Sequence, residues 1–207
     1  MSRALVFLLV SLVLLAAVVI LQFARPGLMP AERLPVIDSL GGDFTLPSTL
    51  GHDTSLAEFR GRLVLLNFGF ASCPDVCPTV LARMRAALDG LGAKAGEVQP
   101  LFVTIDPGRD SLEILGPYVR HFHPAMIALR GTEQQTRMVA TLFKVYFERE
   151  SLPPPLDYGF AHSDQIYLID RLGRVRATFA SNASTANMLD TITRLLDERA
   201  VIEESPL

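Results

Sequence analysis

The chain has 207 residues, a formal net charge of -3 and 49% hydrophobic residues. Its 19 Lys and Arg residues are outnumbered by 22 Asp and Glu, and no basic cluster is evident, which argues against a nucleic-acid-binding protein. The apolar share is raised by the N-terminus. About 180 residues remain after it, which suits one domain with a sizeable core.

The first 24 residues predict a transmembrane anchor. No charged side chain occurs from Ala4 to Ala24, and about 20 apolar residues span a bilayer as a helix. A cleaved signal peptide is the alternative, but its apolar stretch is usually about 7 to 15 residues long and ends in a small-x-small site. No A-x-A sequence occurs here. Only three residues precede the run, which favours a single-pass protein of a bacterial inner membrane over an organelle precursor.

Residues 25–42 carry three prolines and three glycines with little periodicity, and we interpret them as a tether. The domain is predicted to cover residues 43–200. Two short extended stretches around a turn at Gly51 predict a hairpin at its start. The nearly continuous apolar run from Leu63 to Phe68 predicts a strand that is buried on both faces.

The rest of the chain alternates between helical and extended patterns. They predict a helix from Pro78 to Gly90, a strand over 101–106, helices over 112–122 and 133–147, strands over 165–170 and 175–180, and a helix over 185–199. Strand, helix, strand, helix, hairpin and terminal helix is the order of a thioredoxin-like α/β sandwich.

The stretch FASCPDVCP, residues 70–78, holds the only two cysteines of the chain, Cys73 and Cys77. Three residues separate them, one more than in the C-x-x-C of dithiol oxidoreductases. Pro78 would break a helix that began earlier, so we expect a loop whose last member, Cys77, caps the next helix. A helix N-terminus lowers a thiol pKa, which favours a nucleophile and a metal ligand alike. Inert burial and a structural disulfide are the remaining interpretations.

Two thiolates alone make a linear metal site, and a neutral imidazole as third donor would make it trigonal, an arrangement that Cu(I) accepts. Surface or capping roles explain three of the four histidines: His52, His121 and His123. His162 differs because it precedes the strand predicted for 165–170. In a thioredoxin-like sheet that strand lies beside the one before the cysteines, so we predict that His162 approaches the cysteine loop.

The sequence resembles a known family at three motifs. FGFASCPDVCP, TIDPGRD and DYGFAHSDQIYLID, followed by a turn with Gly173, are similar to motifs of the Sco/SenC family of copper-delivery proteins for cytochrome c oxidase assembly. The resemblance implies that Cys73, Cys77 and His162 bind copper for the dinuclear copper site of cytochrome c oxidase subunit II. It also implies a domain that faces the periplasm, with copper-donor and thiol-reductant proteins as further candidate partners.

Other residues of these motifs have less certain roles. Asp106 and Asp110 match the D-P-x-R-D segment, where support of the metal site and helix capping are both open. The residue before the histidine is often acidic in this family, and here it is Ala161, so no carboxylate from that position can orient the imidazole. Three methionines at apolar helix positions are predicted to be core residues rather than copper ligands: Met84, Met138 and Met188.

The alternative function is a thiol-disulfide oxidoreductase that reduces the acceptor's cysteines, with Cys73 or Cys77 as the attacking thiolate. The longer spacer, the absence of Trp, and Ala161 and His162 in place of the usual proline argue against it. A peroxidase lacks support as well, because Phe70 and Pro74 stand where a threonine is expected. We therefore predict a metallochaperone and leave enzymatic activity open.

Overall fold

The computed structural model of the protein describes residues 7, 11–16, 33–153 and 157–203, the last five in their backbone alone. It divides into two units, Met1–Arg33 and Leu34–Leu207. Residues 7 and 11–16 are helical, and the rest of the predicted anchor, together with the start of the predicted tether, lies outside the described residues. No helix within the described ranges is long and apolar enough to cross a membrane.

The described part of the second unit contains nine strands and four α-helices. The strands are β1 (Thr45–Pro47), β2 (Asp53–Ser55), β3 (Leu63–Gly69), β4 (Val98–Thr104), β5 (Ile127–Leu129), β6 (Phe147–Ser151), β7 (Tyr158–His162), β8 (Ile166–Ile169) and β9 (Val175–Phe179). The helices are α1 (Val76–Gly90), α2 (Leu112–Phe122), α3 (Glu133–Leu142) and α4 (Thr185–Glu203). Short 3-10 helices cover Leu56–Phe59 and Gly92–Glu97.

Five strands form the central sheet in the order β5-β4-β3-β8-β9. Strands β3, β4 and β5 run parallel, joined by α1 and α2, because parallel neighbours need a crossover. Strand β8 is antiparallel to β3, and β9 is antiparallel to β8. This is the architecture of a thioredoxin-like α/β sandwich, which confirms the predicted fold of the domain. The predicted hairpin is also present as β1 and β2.

Both faces of the sheet are covered, as the apolar run of β3 predicts. Val64, Leu66 and Phe68 belong to one core cluster, with α3 and the β1–β2 hairpin above them. Leu63 and Leu65 belong to the other, under α1, α2 and α4. Alternate residues of a strand point to opposite faces, so one strand supplies both cores.

Helices α1 and α3 have boundaries that differ from the sequence prediction in ways that affect the surroundings of the cysteines and of His162. Helix α1 begins at Val76, so Cys77 lies in the first helical turn and not in a capping loop. Pro78 is tolerated there because first-turn N–H groups have no intrahelical partner. Helix α3 ends at Leu142 instead of continuing to residue 147, and Lys144 has a φ of 53° just beyond it.

The chain after α3 forms an antiparallel ribbon, β6 with β7, that the sequence pattern does not predict. Phe147 pairs with His162, and Arg149 pairs with Phe160. His162 is therefore the last residue of a strand, whereas the sequence pattern predicts a strand only from residue 165 onward. The ribbon fixes this side chain more firmly than a loop would, because strand pairing restrains both backbone dihedrals.

The segment before β1 contacts the rest of the second unit. The buried guanidinium of Arg176 donates hydrogen bonds to the Leu34 carbonyl and forms an ion pair with Glu198. The Leu34 N–H donates to the Glu198 carboxylate at 2.8 Å, and the Ile37 N–H donates to the Val175 carbonyl at 2.9 Å. These contacts fasten the segment to β9 and α4.

We predict that a fragment of residues 43–203 is less stable than one of residues 33–203, with a free energy of unfolding lower by about 1 to 3 kcal/mol. Removal of the segment takes the carbonyl acceptor of Leu34 from the buried guanidinium of Arg176. Urea unfolding of the two fragments measures the difference. Equal stabilities would mean that the folded unit begins at the predicted tether boundary, residue 43.

Candidate metal centre

The cysteine loop leaves the C-terminal end of β3 and enters α1. The Cys73 N–H donates to the Phe70 carbonyl at 3.2 Å, and the Cys77 N–H reaches the Cys73 sulfur at 3.5 Å. Both cysteines are free thiols. Cys77 is 1% exposed, while Cys73 is half-buried. The turn into the helix thus sets one sulfur in the core and the other at the surface.

His162, at the end of β7, faces the two thiols. Its Nε2 lies 3.6 Å from the Cys77 sulfur, and its Nδ1 lies 2.8 Å from the Ser163 carbonyl oxygen. A carbonyl oxygen only accepts hydrogen bonds, so Nδ1 carries a proton. In the neutral imidazole the Nε2 lone pair then faces the sulfurs, which is the tautomer that a metal ligand at Nε2 requires.

The sulfurs of Cys73 and Cys77 and a ring nitrogen of His162 all lie within 4.8 Å of one another. In the part of the chain that the structure describes, this is the one group of three or more His, Cys, Asp or Glu side chains close enough to hold a metal ion. Two sulfurs and an imidazole suit a thiophilic ion, whereas Mg²⁺ and Ca²⁺ prefer oxygen ligands. The structure therefore brings together the three predicted ligands.

The other histidines lie outside this group. His52 is exposed and lies 3.9 Å from Glu58. His121 is exposed in the last turn of α2, and the Nδ1 of His123 accepts a hydrogen bond from the Ala125 N–H. These are the surface and capping positions that the sequence predicts.

Two of the three methionines occupy the predicted core positions. Met84 and Met188 are fully buried among the helices on the α1 face of the sheet. The prediction for Met138 is wrong, because this side chain lies on the solvent side of α3 and is 55% exposed.

Asp110 positions the cysteine loop. Its buried carboxylate accepts hydrogen bonds from the Ala71 N–H at 3.0 Å and from the Thr104 hydroxyl at 2.6 Å. Burial raises the pKa of this carboxyl, and the two hydrogen bonds oppose that shift. Asp110 therefore ties the end of β4 to the chain two residues before Cys73. Asp106 does not reach the group and forms an ion pair with Arg109.

Two further residues of the FGFASCPDVCP motif shape the centre, in roles that the motif itself does not indicate. The Phe70 ring contacts the His162 ring edge-on, with centroids 5.8 Å apart. At Gly69, the last residue of β3, an added Cβ would lie 2.8 Å from the Cys77 sulfur and 3.0 Å from the Phe102 ring. Glycine at this position therefore leaves room for the buried sulfur.

The two thiols differ in pKa, and the proton of the hydrogen bond between them resides on Cys77. A hydrogen bond from the Cys77 thiol lowers the pKa of Cys73, against the opposing effect of burial, and His162 lowers it further. The same hydrogen bond and stronger burial raise the pKa of Cys77. Burial lowers the pKa of His162, but hydrogen bonds to Cys73 and to the Ser163 carbonyl outweigh it and raise the pKa. Cys73 is thus the thiolate of the pair.

A thioredoxin-like sheet that carries two thiols and an imidazole at one strand end defines a class of thiol-based metal or redox proteins. The model of the SCO1/SenC family matches residues 35–197, and the chain belongs to this family. This confirms the resemblance seen in the three motifs. A SCO2-like protein of Rickettsia felis is 38% identical over 152 residues, which cover 73% of this chain and 74% of that protein.

Solved structures of similar proteins agree in fold. Arabidopsis thaliana ScoI with copper bound has a TM-score of 0.72 and 29% identity, over 77% of this chain and 99% of that one. Yeast Sco1 with copper bound has a TM-score of 0.70 and 31% identity, over 81% of this chain and 96% of that one. Copper is thus present in two of the proteins that this chain is similar to.

We predict that Gly69→Ala weakens metal binding by about tenfold or more, the scale of effects from residues that position metal ligands. The added methyl group would displace the Cys77 sulfur or the Phe102 ring. Gly96→Ala is the control, because a Cβ there meets nothing within 4 Å. Competition with a chromophoric chelator measures both affinities, and circular dichroism checks the fold. Equal affinities of the two variants would contradict the role of Gly69.

We predict that iodoacetamide modifies Cys73 far faster than Cys77 in the reduced, metal-free protein. Because its pKa is lowered, Cys73 is already a thiolate near pH 6. Its modification rate should therefore change little between about pH 6 and pH 8, whereas the rate of a free thiol rises about tenfold per pH unit in this range. Peptide mass spectrometry after timed quenching gives both rates. If the Cys73 rate rises with pH as it does for a free thiol, the pKa of Cys73 is not lowered and the prediction is wrong.

Proposed function

We propose that the protein binds copper through Cys73, Cys77 and His162 and delivers it to the dinuclear copper site of cytochrome c oxidase subunit II. The observation that carries the proposal is the group of two thiol sulfurs and one imidazole nitrogen within 4.8 Å of one another. The copper-bound state of A. thaliana ScoI and of yeast Sco1, which are similar to this chain, supports it. Copper is in this account a cargo and not a resident cofactor.

The site is suited to releasing its cargo. A three-ligand copper site leaves room for a further thiolate to attack, since soft ions accept low coordination. Cys73 is the half-buried ligand and Cys77 the buried one, so an incoming thiolate meets Cys73 first. Transfer then proceeds by exchange of one ligand at a time, and the acceptor's thiolates replace those of this protein.

The proposal includes a location. Residues 1–24 anchor the chain in a bacterial inner membrane, a tether follows from residue 25, and the domain, which includes the segment from Leu34 that is bonded to β9 and α4, faces the periplasm. The uncharged apolar run from Ala4 to Ala24 supports the anchor because its length matches a bilayer. Copper-donor proteins and thiol reductants are further partners in this scheme.

The second candidate function is a thiol-disulfide oxidoreductase acting on the acceptor's cysteines. The unequal thiols favour it, because an accessible thiolate such as Cys73 is the usual attacking group and a buried neighbour such as Cys77 the usual resolving one. A dithiol enzyme would use His162 only to lower the pKa of Cys73, whereas the copper site needs it as a ligand, so this residue separates the two functions.

We predict that His162→Ala keeps the fold and both thiols but weakens copper binding by more than about 100-fold, the largest loss expected from a residue that only supports a site. A three-ligand site becomes a two-ligand one that is open to competing thiols. His123→Ala is the matched control, because His123 lies outside the group. Chelator competition with the reduced protein measures the affinities.

The same variant is tested in cells that lack the native protein. If copper delivery is the function, His162→Ala should fail to restore oxidase copper content, whereas His123→Ala should restore it. Full restoration by a variant that binds copper weakly would overturn the chaperone proposal and support the oxidoreductase.

A further inference from the structure

A cavity of about 550 Å³ lies beside the metal centre. Its lining comes from the turn after β4, from the turn into α3 and from the β6–β7 ribbon. Three arginines and two carboxylates face it: Arg130, Arg137, Arg149, Asp106 and Glu133. We call it the arginine cavity. These residues are far apart in the sequence, so the cavity forms although the sequence has no basic cluster.

Both carboxylates of the arginine cavity already have partners. Asp106, 1% exposed, forms an ion pair with Arg109 and accepts a hydrogen bond from the Tyr158 hydroxyl at 3.0 Å. Glu133 forms an ion pair with Arg137 at 3.1 Å. Both acidic groups of the cavity, and Arg137 among its three arginines, are therefore neutralised within the protein.

The other two arginines of the cavity, Arg130 and Arg149, form no salt bridge with any residue in the described ranges. Arg130 donates one hydrogen bond to the Pro107 carbonyl at 2.8 Å, and its buried Nε has no partner there. The Arg149 guanidinium stacks on the Tyr158 ring, 4.0 Å from the ring centroid. The cavity therefore has a surplus of positive charge held in place by packing.

The ribbon connects the arginine cavity to the metal centre. Phe160 lines the cavity and lies two residues before His162 on β7, so both side chains point to the same face of the strand. Arg149 is the partner of Phe160 across the ribbon. The Phe160 ring also contacts Phe70, which contacts His162. A group bound beside Phe160 thus lies about 7 Å along the strand from a metal ligand.

We propose that the arginine cavity receives acidic side chains of the protein that exchanges metal with Cys73, Cys77 and His162. This rests on the proposed function, in which a second protein takes the copper. Guanidinium groups match carboxylates in geometry and charge. Apolar walls from Ile105 and Phe160 fit the methylene stems of glutamates.

The size of the cavity favours a protein segment over a single inorganic anion. A volume of this order takes a drug-sized molecule or several side chains. The two arginines without salt bridges stand on different elements, which suits an extended acidic loop that meets them in turn. Docking of such a loop holds the acceptor's thiolates close to Cys73, and charge attraction speeds the encounter.

The test uses two synthetic acceptor peptides with the same pair of cysteines, one flanked by glutamates and the other by glutamines. The full-length protein in non-ionic detergent is loaded with Cu(I), and copper transfer to each peptide is followed at low salt. Transfer to the glutamate peptide should be faster by about tenfold or more, the low end of electrostatic steering. The advantage should disappear in Arg149→Glu.

The control is Arg85→Glu, which makes the same change in net charge on α1, over the opposite face of the sheet, where Arg85 is 56% exposed. This variant should keep the advantage. Binding is measured separately by fluorescence anisotropy, with metal-free protein and with serine in place of the peptide cysteines. The glutamate peptide should bind more tightly than the glutamine peptide, in a manner that depends on Arg149.

Each outcome has one meaning. Equal transfer and equal binding of the two peptides would overturn the docking proposal and leave copper delivery intact. Binding that prefers glutamate through Arg149, without copper transfer to either peptide, would support docking and overturn copper delivery. Inorganic phosphate is the competitor. If it displaces the glutamate peptide at a concentration below the peptide's own dissociation constant, the cavity is a small-anion site and the docking proposal is overturned.

Discussion

The antiparallel pairing of β3 with β8 is the constraint on which the metal centre depends. Asn67 lies opposite Ile166 in this pair, and its side-chain amide donates to the Gln165 carbonyl at 3.1 Å. Because the strands run in opposite directions, the chain just before β8 lies beside the chain just after β3. His162 therefore comes within 3.6 Å of Cys77 although 85 residues separate them. A metal site is assembled from two distant motifs by backbone hydrogen bonds.

Much of this could be predicted from the sequence, for identifiable reasons. The apolar run of β3 predicts a strand covered on both faces, and the order of elements predicts which strand lies next to it. That order is sufficient to single out His162 from four histidines. The start of α1 could not be predicted, because Pro78 is equally compatible with the first position of a helix and with a later one in its first turn.

Other features depend on tertiary contacts that no local pattern encodes. The stretch Phe147–Ser151 has a glutamate on each side of Arg149 and lacks the apolar alternation of a strand. The helical pattern of α3 can therefore be continued up to its first residue. Hydrogen-bonded pairing with β7 makes this stretch a strand instead. The surplus of positive charge in the arginine cavity is equally hidden, because Arg130 and Arg149 come together only in the folded chain. Gly69 matters because it has no side chain, which leaves room for the Cys77 sulfur, and this is seen only in the folded structure.

The proposed function requires that Cys73, Cys77 and His162 together form one copper site. The X-ray absorption spectrum of the reduced, copper-loaded protein tests it most directly, since sulfur and nitrogen neighbours scatter differently. We expect a single copper environment with two sulfur ligands and one nitrogen ligand. A spectrum with sulfur ligands alone, or with copper–copper scattering from a cluster, would contradict it.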